Sequence, residues 1–171
     1  MLEWLSMFFG KATAWCPRFH KVPPTHRLVK WSYCGEGTIH GPGIVWYWPL
    51  VTVAEEIDVR WKSMITHVQT VTLSDGVTVS ARTLTRWRPI DPLKCVTHEE
   101  DYADTVAETA QSVLVDVLSP CPYNMLKESV ALNTTLTLAM KKEMSDIGVE
   151  IKKCKFTELC SSPAFRLIND G

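Results

Sequence analysis

The sequence has no surplus of charge of either sign. Lys and Arg number 18 against 19 Asp and Glu, which gives the 171-residue chain a formal net charge of −1. Nucleic-acid-binding domains usually carry a basic surplus, so the charge balance predicts no nucleic-acid partner. Apolar residues make up 46% and charged residues 22% of the chain. These values are typical of globular domains, and we expect a folded protein.

Apolar runs long enough to cross a membrane are also lacking. The two most apolar segments, residues 1–19 and 44–53, are interrupted by Glu3 and by Pro49. A membrane-spanning helix needs about 20 consecutive apolar residues, so neither segment is long enough to span a bilayer alone. The acidic Glu3 and the lack of a basic leader also argue against a cleavable signal peptide.

The cysteines lack the tight pairing of a secreted, disulfide-linked domain. They are spread as Cys16, Cys34, Cys95, Cys121, Cys154 and Cys160. This spacing favours a reducing compartment, in which cysteines are mostly small core residues or free thiols. Cys16 lies beside the apolar N-terminal segment and is either a candidate for acylation or an unmodified thiol. Cys34 is the second acylation candidate.

Motifs of catalysis and cofactor binding are missing. The sequence has no nucleophile elbow, kinase motif or dinucleotide fingerprint. Cys95-x-x-His98 could be half of a zinc site, and so could Cys16 with His20, but no second half has convincing zinc spacing. We therefore expect no enzyme activity, no catalytic residue, no cofactor and no bound metal.

The stretch from Ile39 to Arg60 carries the most distinctive pattern of the chain. Gly41-Pro42-Gly43 predicts a turn, because Pro lacks an N–H and Gly favours unusual backbone angles. The apolar run that follows consists of Ile44, Val45, Trp46, Tyr47 and Trp48, and it resumes after Pro49. Two interpretations stay open. The run is a core strand, as short apolar runs usually are, or a surface in the membrane interface, where Trp and Tyr are enriched.

Residues 1–19 form a second apolar segment, with helical spacing. Its candidate contact side chains are Trp4, Leu5, Phe8, Phe9 and Trp15. The pattern predicts a short amphipathic helix that ends near Pro17. Such a helix either lies in a membrane interface or packs on its own domain or a neighbouring subunit. We predict three parts of the chain: this segment with its proline linker (1–24), a domain (25–160) and a tail (161–171).

The next part of the chain alternates as strands do. Arg27–Tyr33 and Ile44–Leu50 are predicted to form a hairpin, and further strands are predicted at residues 57–61, 67–73 and 77–87. Polar side chains at alternate positions of the last strand indicate a sheet with one solvated face. Asp75-Gly76 is the strongest hairpin-turn signal. If Gly76 has a positive φ, Gly76→Val should destabilise the fold by about 1 kcal/mol or more.

Two helices and a closing strand follow. A capping box from Thr97 to Glu100 predicts a helix from Thr97 to Leu118, and a second helix is predicted from Leu126 to Ile147 with Gly148 as its C-terminal cap. The final strand, Val149–Leu159, requires a bulge at Lys152-Lys153 to keep its apolar side chains on one side. The order predicts an α+β fold: an antiparallel-dominated sheet, two helices on one face, and a bulged closing strand.

Three segments, GPGIVWYWPL, EIDVR and VQTVTLSDGVTVSARTLTRWR, resemble in their order and spacing the SPFH, or band 7, domain of stomatins, prohibitins and flotillins. The resemblance covers residues 25–160. It implies a membrane-associated scaffold without catalytic residues, whose copies assemble into rings or cages on one leaflet and whose Gly-Pro-Gly segment contacts the bilayer. Typical members continue into a long coiled coil, and no heptads follow in this sequence.

We therefore expect a non-enzymatic, oligomeric scaffold, peripheral or monotopic on the cytoplasmic side of a membrane. Its expected partners are other copies of itself and the lipid bilayer surface. The predicted membrane-contact residues are the five of residues 1–19 named above together with Ile44, Val45, Trp46, Tyr47 and Trp48. Self-association is expected because monomers rarely expose large apolar patches. The alternative is a soluble structural subunit that uses the same fold in a large assembly such as a virus or phage particle.

Overall fold

The computed structural model describes residues 16–33, 35, 37–98, 101–127 and 129–161. Its strands are β1 (Arg18–Val22), β2 (His26–Ser32), β3 (Thr38–His40), β4 (Gly43–Tyr47), β5 (Thr52–Asp58), β6 (Lys62–Ile65), β7 (Gln69–Thr72), β8 (Thr78–Pro89) and β9 (Val149–Ser161). Its helices are α1 (Pro92–His98), α2 (Tyr102–Leu118) and α3 (Ser129–Met144), with a 3-10 helix at Tyr123–Lys127. The predicted mixed α+β fold is confirmed.

The N-terminal strands form two small antiparallel sheets. In one of them β2 is central and pairs with β3 on one side and β5 on the other. The second is a two-stranded ribbon in which β1 pairs with β4. The predicted hairpin between Arg27–Tyr33 and Ile44–Leu50 is therefore wrong. The short β3 occupies the place beside β2, and the turn before Gly43, whose φ is +144°, directs β4 to β1 instead.

The C-terminal sheet is built around β8. β6 and β7 pair with successive parts of one edge of this strand, and β9 pairs with the other edge, all antiparallel. Along β8, buried side chains alternate with partly or fully exposed ones. This alternation confirms the predicted sheet with one solvated face.

A corner separates the N-terminal sheets from the C-terminal sheet. The predicted strand at residues 57–61 is wrong, because β5 ends at Asp58 and β6 begins at Lys62. The Asp58 carboxylate accepts hydrogen bonds from the backbone N–H of Arg60 at 3.0 Å and from its guanidinium at 2.9 Å, and these bonds close the corner. The guanidinium hydrogen bond lowers the pKa of Asp58 to about 2.

Two bulges interrupt the register of β9 against β8. The first leaves Lys152 without a partner on β8, which confirms the predicted bulge at Lys152-Lys153. As that prediction requires, Cys154 is fully buried. The second bulge leaves Thr157 without a partner, and no pattern in the sequence predicted it.

The predicted capping box is wrong. Thr97 lies inside α1, where its hydroxyl donates to the Leu93 carbonyl at 2.7 Å. Asp101 is the N-cap of α2, and its carboxylate accepts from the N–H groups of Ala103 and Asp104 at 3.0 and 3.2 Å. Asp is as favourable at this position as Ser or Thr. Because residues 92–98 form a helix of their own, the cap of the long helix lies further along the chain.

Both long helices pack on the inner face of the C-terminal sheet. Their buried residues are Val106, Ala110, Val113, Leu114 and Leu118 of α2, and Leu132, Leu136, Met140 and Met144 of α3. All of these except Leu132 belong to two core clusters, one with Trp87 of β8 and the other with Val79 and Ala81 of β8. The predicted placement of the helices on one face is confirmed, with α1 as an additional short helix. Among the described helices, none is both long and apolar enough to cross a bilayer.

The predicted turn at Asp75-Gly76 is confirmed. Gly76 has a φ of +80°, and its N–H donates to the Leu73 carbonyl at 3.0 Å. A Cβ added there would meet no atom of the described residues within 4 Å, so a substitution costs backbone strain alone. We expect Gly76→Val to lower the free energy of unfolding by about 1 kcal/mol or more. Urea denaturation measures this value, and an unchanged midpoint would contradict the strain.

Candidate functional site on the β1–β4 ribbon

The ribbon of β1 and β4 carries apolar side chains on one of its two faces. Directly opposed residues of an antiparallel pair lie on the same face, and successive side chains of a strand point to opposite faces. Phe19 is opposite Trp46, and Lys21 is opposite Ile44. These four side chains therefore share one face, which we call the outer face of the ribbon.

Solvent reaches the outer face. Phe19 is 74%, Ile44 76% and Trp46 51% exposed. Trp48, which follows the end of β4, is 42% exposed, and its ring centroid lies 6.4 Å from that of Trp46. These four residues are called the aromatic patch below. The core-strand interpretation of the apolar run is wrong, because β4 pairs only with β1 and its outer face is not covered by any described element.

The inner face of the ribbon attaches it to the domain. Val22 is 2% exposed, and Val45 and Tyr47 are partly buried. His20 lies beside Val45 in the register and places its Nε2 at 3.0 Å from Oε2 of Glu56 on β5. The ribbon is therefore anchored to the neighbouring sheet through one face, and the aromatic patch is presented on the other.

The two cations of the ribbon lie on different faces. Lys21 lies beside Ile44 on the outer face and borders the aromatic patch, whereas Arg18 is opposite Tyr47 and therefore belongs to the inner face. Neither cation forms an ion pair with a carboxylate of the described residues. Large apolar side chains bordered by Lys or Arg are typical of protein surfaces that lie in a membrane interface.

The other predicted contact residues differ in position. Val45 and Tyr47 belong to the inner face and do not join the patch. Residues Trp4, Leu5, Phe8, Phe9, Trp15 and Cys34 lie outside the described residues. Cys16 lies shortly before β1, and its thiol is exposed and accessible to modification. Its acylation stays a prediction.

Phe19 was not among the predicted contact residues. Arg18–Val22 reads Arg-Phe-His-Lys-Val, which does not alternate polar with apolar side chains, so it lacks the usual signal of a half-buried strand. No strand was predicted for Arg18 and Phe19, which follow the predicted end of the helix near Pro17 and lie in β1. The predicted helix itself lies almost entirely outside the described residues.

Two buried thiols occupy the core of the C-terminal part. Burial raises the pKa of Cys95 to about 11, and it also raises the pKa of Cys154. Cys95 donates through Sγ to the Gly148 carbonyl at 3.6 Å. These thiols stay protonated at neutral pH, which disfavours them as nucleophiles or metal ligands. Across the part of the chain that the structure describes, no three His, Cys, Asp or Glu side chains converge as metal ligands would.

Comparisons with known proteins identify a family and several relatives. The model of the family described as "SPFH domain / Band 7 family" matches residues 20–166. An uncharacterized protein of Archaeoglobus fulgidus is 28% identical over 112 residues, which are 65% of this chain and 45% of that protein. Stomatin homologs of Pyrococcus horikoshii and Pyrococcus abyssi are each 25% identical over 112 residues, or 65% of this chain and 42% of each homolog. The chain thus spans less than half the length of these relatives.

Proposed function

This chain belongs to the SPFH domain / Band 7 family, and we propose that it is a peripheral membrane scaffold that self-associates on a bilayer surface. The observation that carries the proposal is the aromatic patch: Phe19, Ile44 and Trp46 share one face of a ribbon, Trp48 follows them, and each is at least 42% exposed. Contiguous apolar patches on soluble proteins commonly mark contacts with membranes or other proteins.

The composition of the patch fits the headgroup zone better than the hydrocarbon core. Trp rings combine an apolar body with a polar N–H and are enriched at this depth. Lys21 shares the outer face with Ile44, and its ammonium would be costly to bury in hydrocarbon. The side chains of the patch therefore insert while the strands stay at the surface. Each cation near an anionic bilayer adds about 1 kcal/mol of attraction, so Lys21 favours anionic lipids.

A second apolar segment precedes the patch directly. Residues 1–15 are followed by Cys16, Pro17 and then β1, which begins at Arg18. Stable attachment to a bilayer generally takes two signals, because one weak anchor gives marginal, reversible binding. We propose that the N-terminal segment is the second signal, and that acylation of Cys16 strengthens it.

The proposal includes the side of the membrane and the assembly. The described cysteines are free thiols, as expected for the reducing cytoplasmic side. Self-association is supported by the same surplus of exposed apolar side chains. The scaffold acts through binding and assembly, and none of its described residues is assigned a catalytic role.

We expect Trp46→Glu combined with Trp48→Glu to abolish most binding to vesicles. The double change replaces two interfacial side chains by two charges that anionic headgroups repel. The partition coefficient should fall by at least about tenfold, which corresponds to 1.4 kcal/mol. The measurement is flotation of the full chain with phosphatidylcholine vesicles, with and without phosphatidylserine. Trp fluorescence of the unmodified chain should shift to the blue on vesicle addition.

A matched control separates the patch from a general effect of charge. Val68→Glu with Ile90→Glu introduces the same charges at side chains that are 47% and 61% exposed and lie outside the ribbon, and it should float as the unmodified chain does. Deleting residues 1–15 preserves β1 and should weaken binding without removing it. If the full chain ignores every vesicle composition yet forms a defined oligomer, the membrane proposal fails and the structural-subunit alternative replaces it.

A further inference from the structure

The outward side of α2 is acidic along its length. Asp104, Glu108 and Asp116 are exposed, and the helix contains no Lys or Arg between Tyr102 and Leu118. Its buried residues face the C-terminal sheet, so these carboxylates point away from the sheet. None of them forms an ion pair with a cation of the described residues. We call these three residues the acidic stripe.

The opposite side of the same sheet is basic. Arg86 of β8 is directly opposite Lys153 of β9, and Lys155 follows two positions later. Because Cys154 between the two lysines is fully buried on the helix side, both lysines lie on the outer side. These three residues, Arg86, Lys153 and Lys155, are called the basic face, and none is ion-paired with a described carboxylate.

Part of the basic face is unfavourable in an isolated domain. Like charges directly opposite each other on neighbouring strands destabilise a sheet, and Arg86 and Lys153 are such a pair. Beside them, the guanidinium of Arg88 lies 4.5 Å and that of Arg86 6.0 Å from the ring centroid of Trp61. These cation–π contacts hold the guanidinium groups in place. A partner that supplies carboxylates would relieve the repulsion at positions that are already ordered.

The acidic stripe of another copy is a partner of this kind, and it has the complementary charge. We propose that copies of this chain associate head to tail, with the acidic stripe of one copy docked on the basic face of the next. The inference rests on the self-association in the proposed function and identifies its surfaces. The two surfaces lie on opposite sides of the C-terminal sheet, so the contact is heterologous and repeats into a ring or a filament. A net charge of −1 adds little repulsion between copies.

Charge reversal tests this contact. One variant carries Asp104→Lys and Glu108→Lys, and the other carries Arg86→Glu and Lys153→Glu. Association of the full chain is followed by sedimentation velocity in a neutral detergent, which covers apolar surfaces without adding charge. Each variant alone should associate at least about tenfold more weakly than the unmodified chain, a loss of 1.4 kcal/mol. Raising the salt from about 0.1 to 1 M shortens the Debye length from roughly 10 to 3 Å and should weaken the unmodified assembly.

Mixing the two variants in equal amounts should restore association. The first variant presents two basic surfaces and the second two acidic ones, so each complements the other. The control, Lys94→Glu with Lys142→Glu, makes the same net change in charge as the second variant at exposed residues outside both surfaces and should associate normally. Association can recover on mixing only if both variants are folded. A recovery would therefore show that unfolding did not cause the loss of association in each variant alone.

Three outcomes would overturn the head-to-tail contact. The first is that both variants assemble as the unmodified chain does. The second is that the unmodified chain is monomeric at every concentration. The third is a loss in the Arg86/Lys153 variant that mixing does not rescue, which would assign the basic face to another anionic occupant such as an acidic peptide or a lipid headgroup. Vesicle flotation of the same variants should be retained through the aromatic patch. Flotation tests the membrane proposal and sedimentation tests this contact, so a failure of one can be distinguished from a failure of the other.

Discussion

Gly148→Ala is expected to lower the free energy of unfolding by about 3 kcal/mol or more. Gly148 has a φ of +82°, a conformation in which a side chain costs of order 1–3 kcal/mol. An added Cβ would also lie 2.9 Å from the Asp91 carbonyl oxygen and 2.9 Å from Cβ of Lys94. Overpacking of this kind costs typically 1–3 kcal/mol more. Thermal and urea denaturation of the variant measure the sum.

The position of Gly148 explains why the backbone cannot easily relax. Its carbonyl accepts hydrogen bonds from the N–H groups of Ile90 and Asp91 at 2.9 and 3.1 Å. It thereby joins the corner between β8 and α1 to the corner between α3 and β9. Moving this backbone to admit a methyl group would break those bonds.

A glycine without either constraint supplies the control. Among the described residues, no atom lies within 4 Å of a Cβ added at Gly41, and the φ of Gly41 is outside the left-handed region. We expect Gly41→Ala to change the free energy of unfolding by no more than about 0.5 kcal/mol, as surface substitutions usually do. A Gly148→Ala variant as stable as Gly41→Ala would show that the corner rearranges freely, contrary to the packing described.

Features of the fold that depend on local periodicity were predicted from the sequence. The Asp75-Gly76 turn has a strong two-residue signal. The apolar stripe of α2 repeats with helical spacing, and the bulge at Lys152-Lys153 follows from a phase break in alternating side chains. Each signal lies within a few residues of the feature it specifies, so a single sequence is sufficient to read it.

Features that depend on distant residues were not predicted. Thr97 and Asp101 are both acceptable N-caps by local criteria. The choice between them follows from α1, whose Cys95 is fully buried and contacts the Gly148 carbonyl. The pairing of β4 was misassigned for the same reason. Its partner β1 lies in residues for which no strand was predicted, and the nearer β2 has its edges occupied by β3 and β5.

The candidate site was predicted in part. Ile44, Trp46 and Trp48 are exposed as an interfacial surface requires, whereas Val45 and Tyr47 face inward. An apolar run has the same composition whether it is buried or exposed, because burial depends on what packs against it. Only the register with β1 separates the two faces of β4 and brings Phe19 to the patch. The basic face likewise required the pairing of Arg86 with Lys153.

Thr137→Val is expected to destabilise the fold by about 1–3 kcal/mol, the cost of leaving buried backbone groups unpaired. β9 is an edge strand, and α3 covers its free edge with side-chain hydrogen bonds. The Thr137 hydroxyl oxygen accepts from the Cys154 N–H at 3.1 Å and lies 2.8 Å from the Cys154 carbonyl oxygen. Beside it, the Asn133 side-chain carbonyl accepts from the Phe156 N–H at 2.8 Å. Valine has nearly the same shape as threonine but no hydroxyl, so it cannot make the two contacts with the Cys154 backbone.

The same helix offers a matched control for this substitution. Thr135 is exposed, and its hydroxyl donates only to the Ala131 carbonyl of its own helix among the described residues. Thr135→Val should therefore change the unfolding free energy by no more than about 0.5 kcal/mol. In Thr137→Val, amide hydrogen exchange should accelerate at Cys154, because its N–H loses its acceptor at an edge that pairs with no other described strand. Equal stability of the two variants, with unchanged exchange at Cys154, would show that the hydroxyl of Thr137 does not protect this edge.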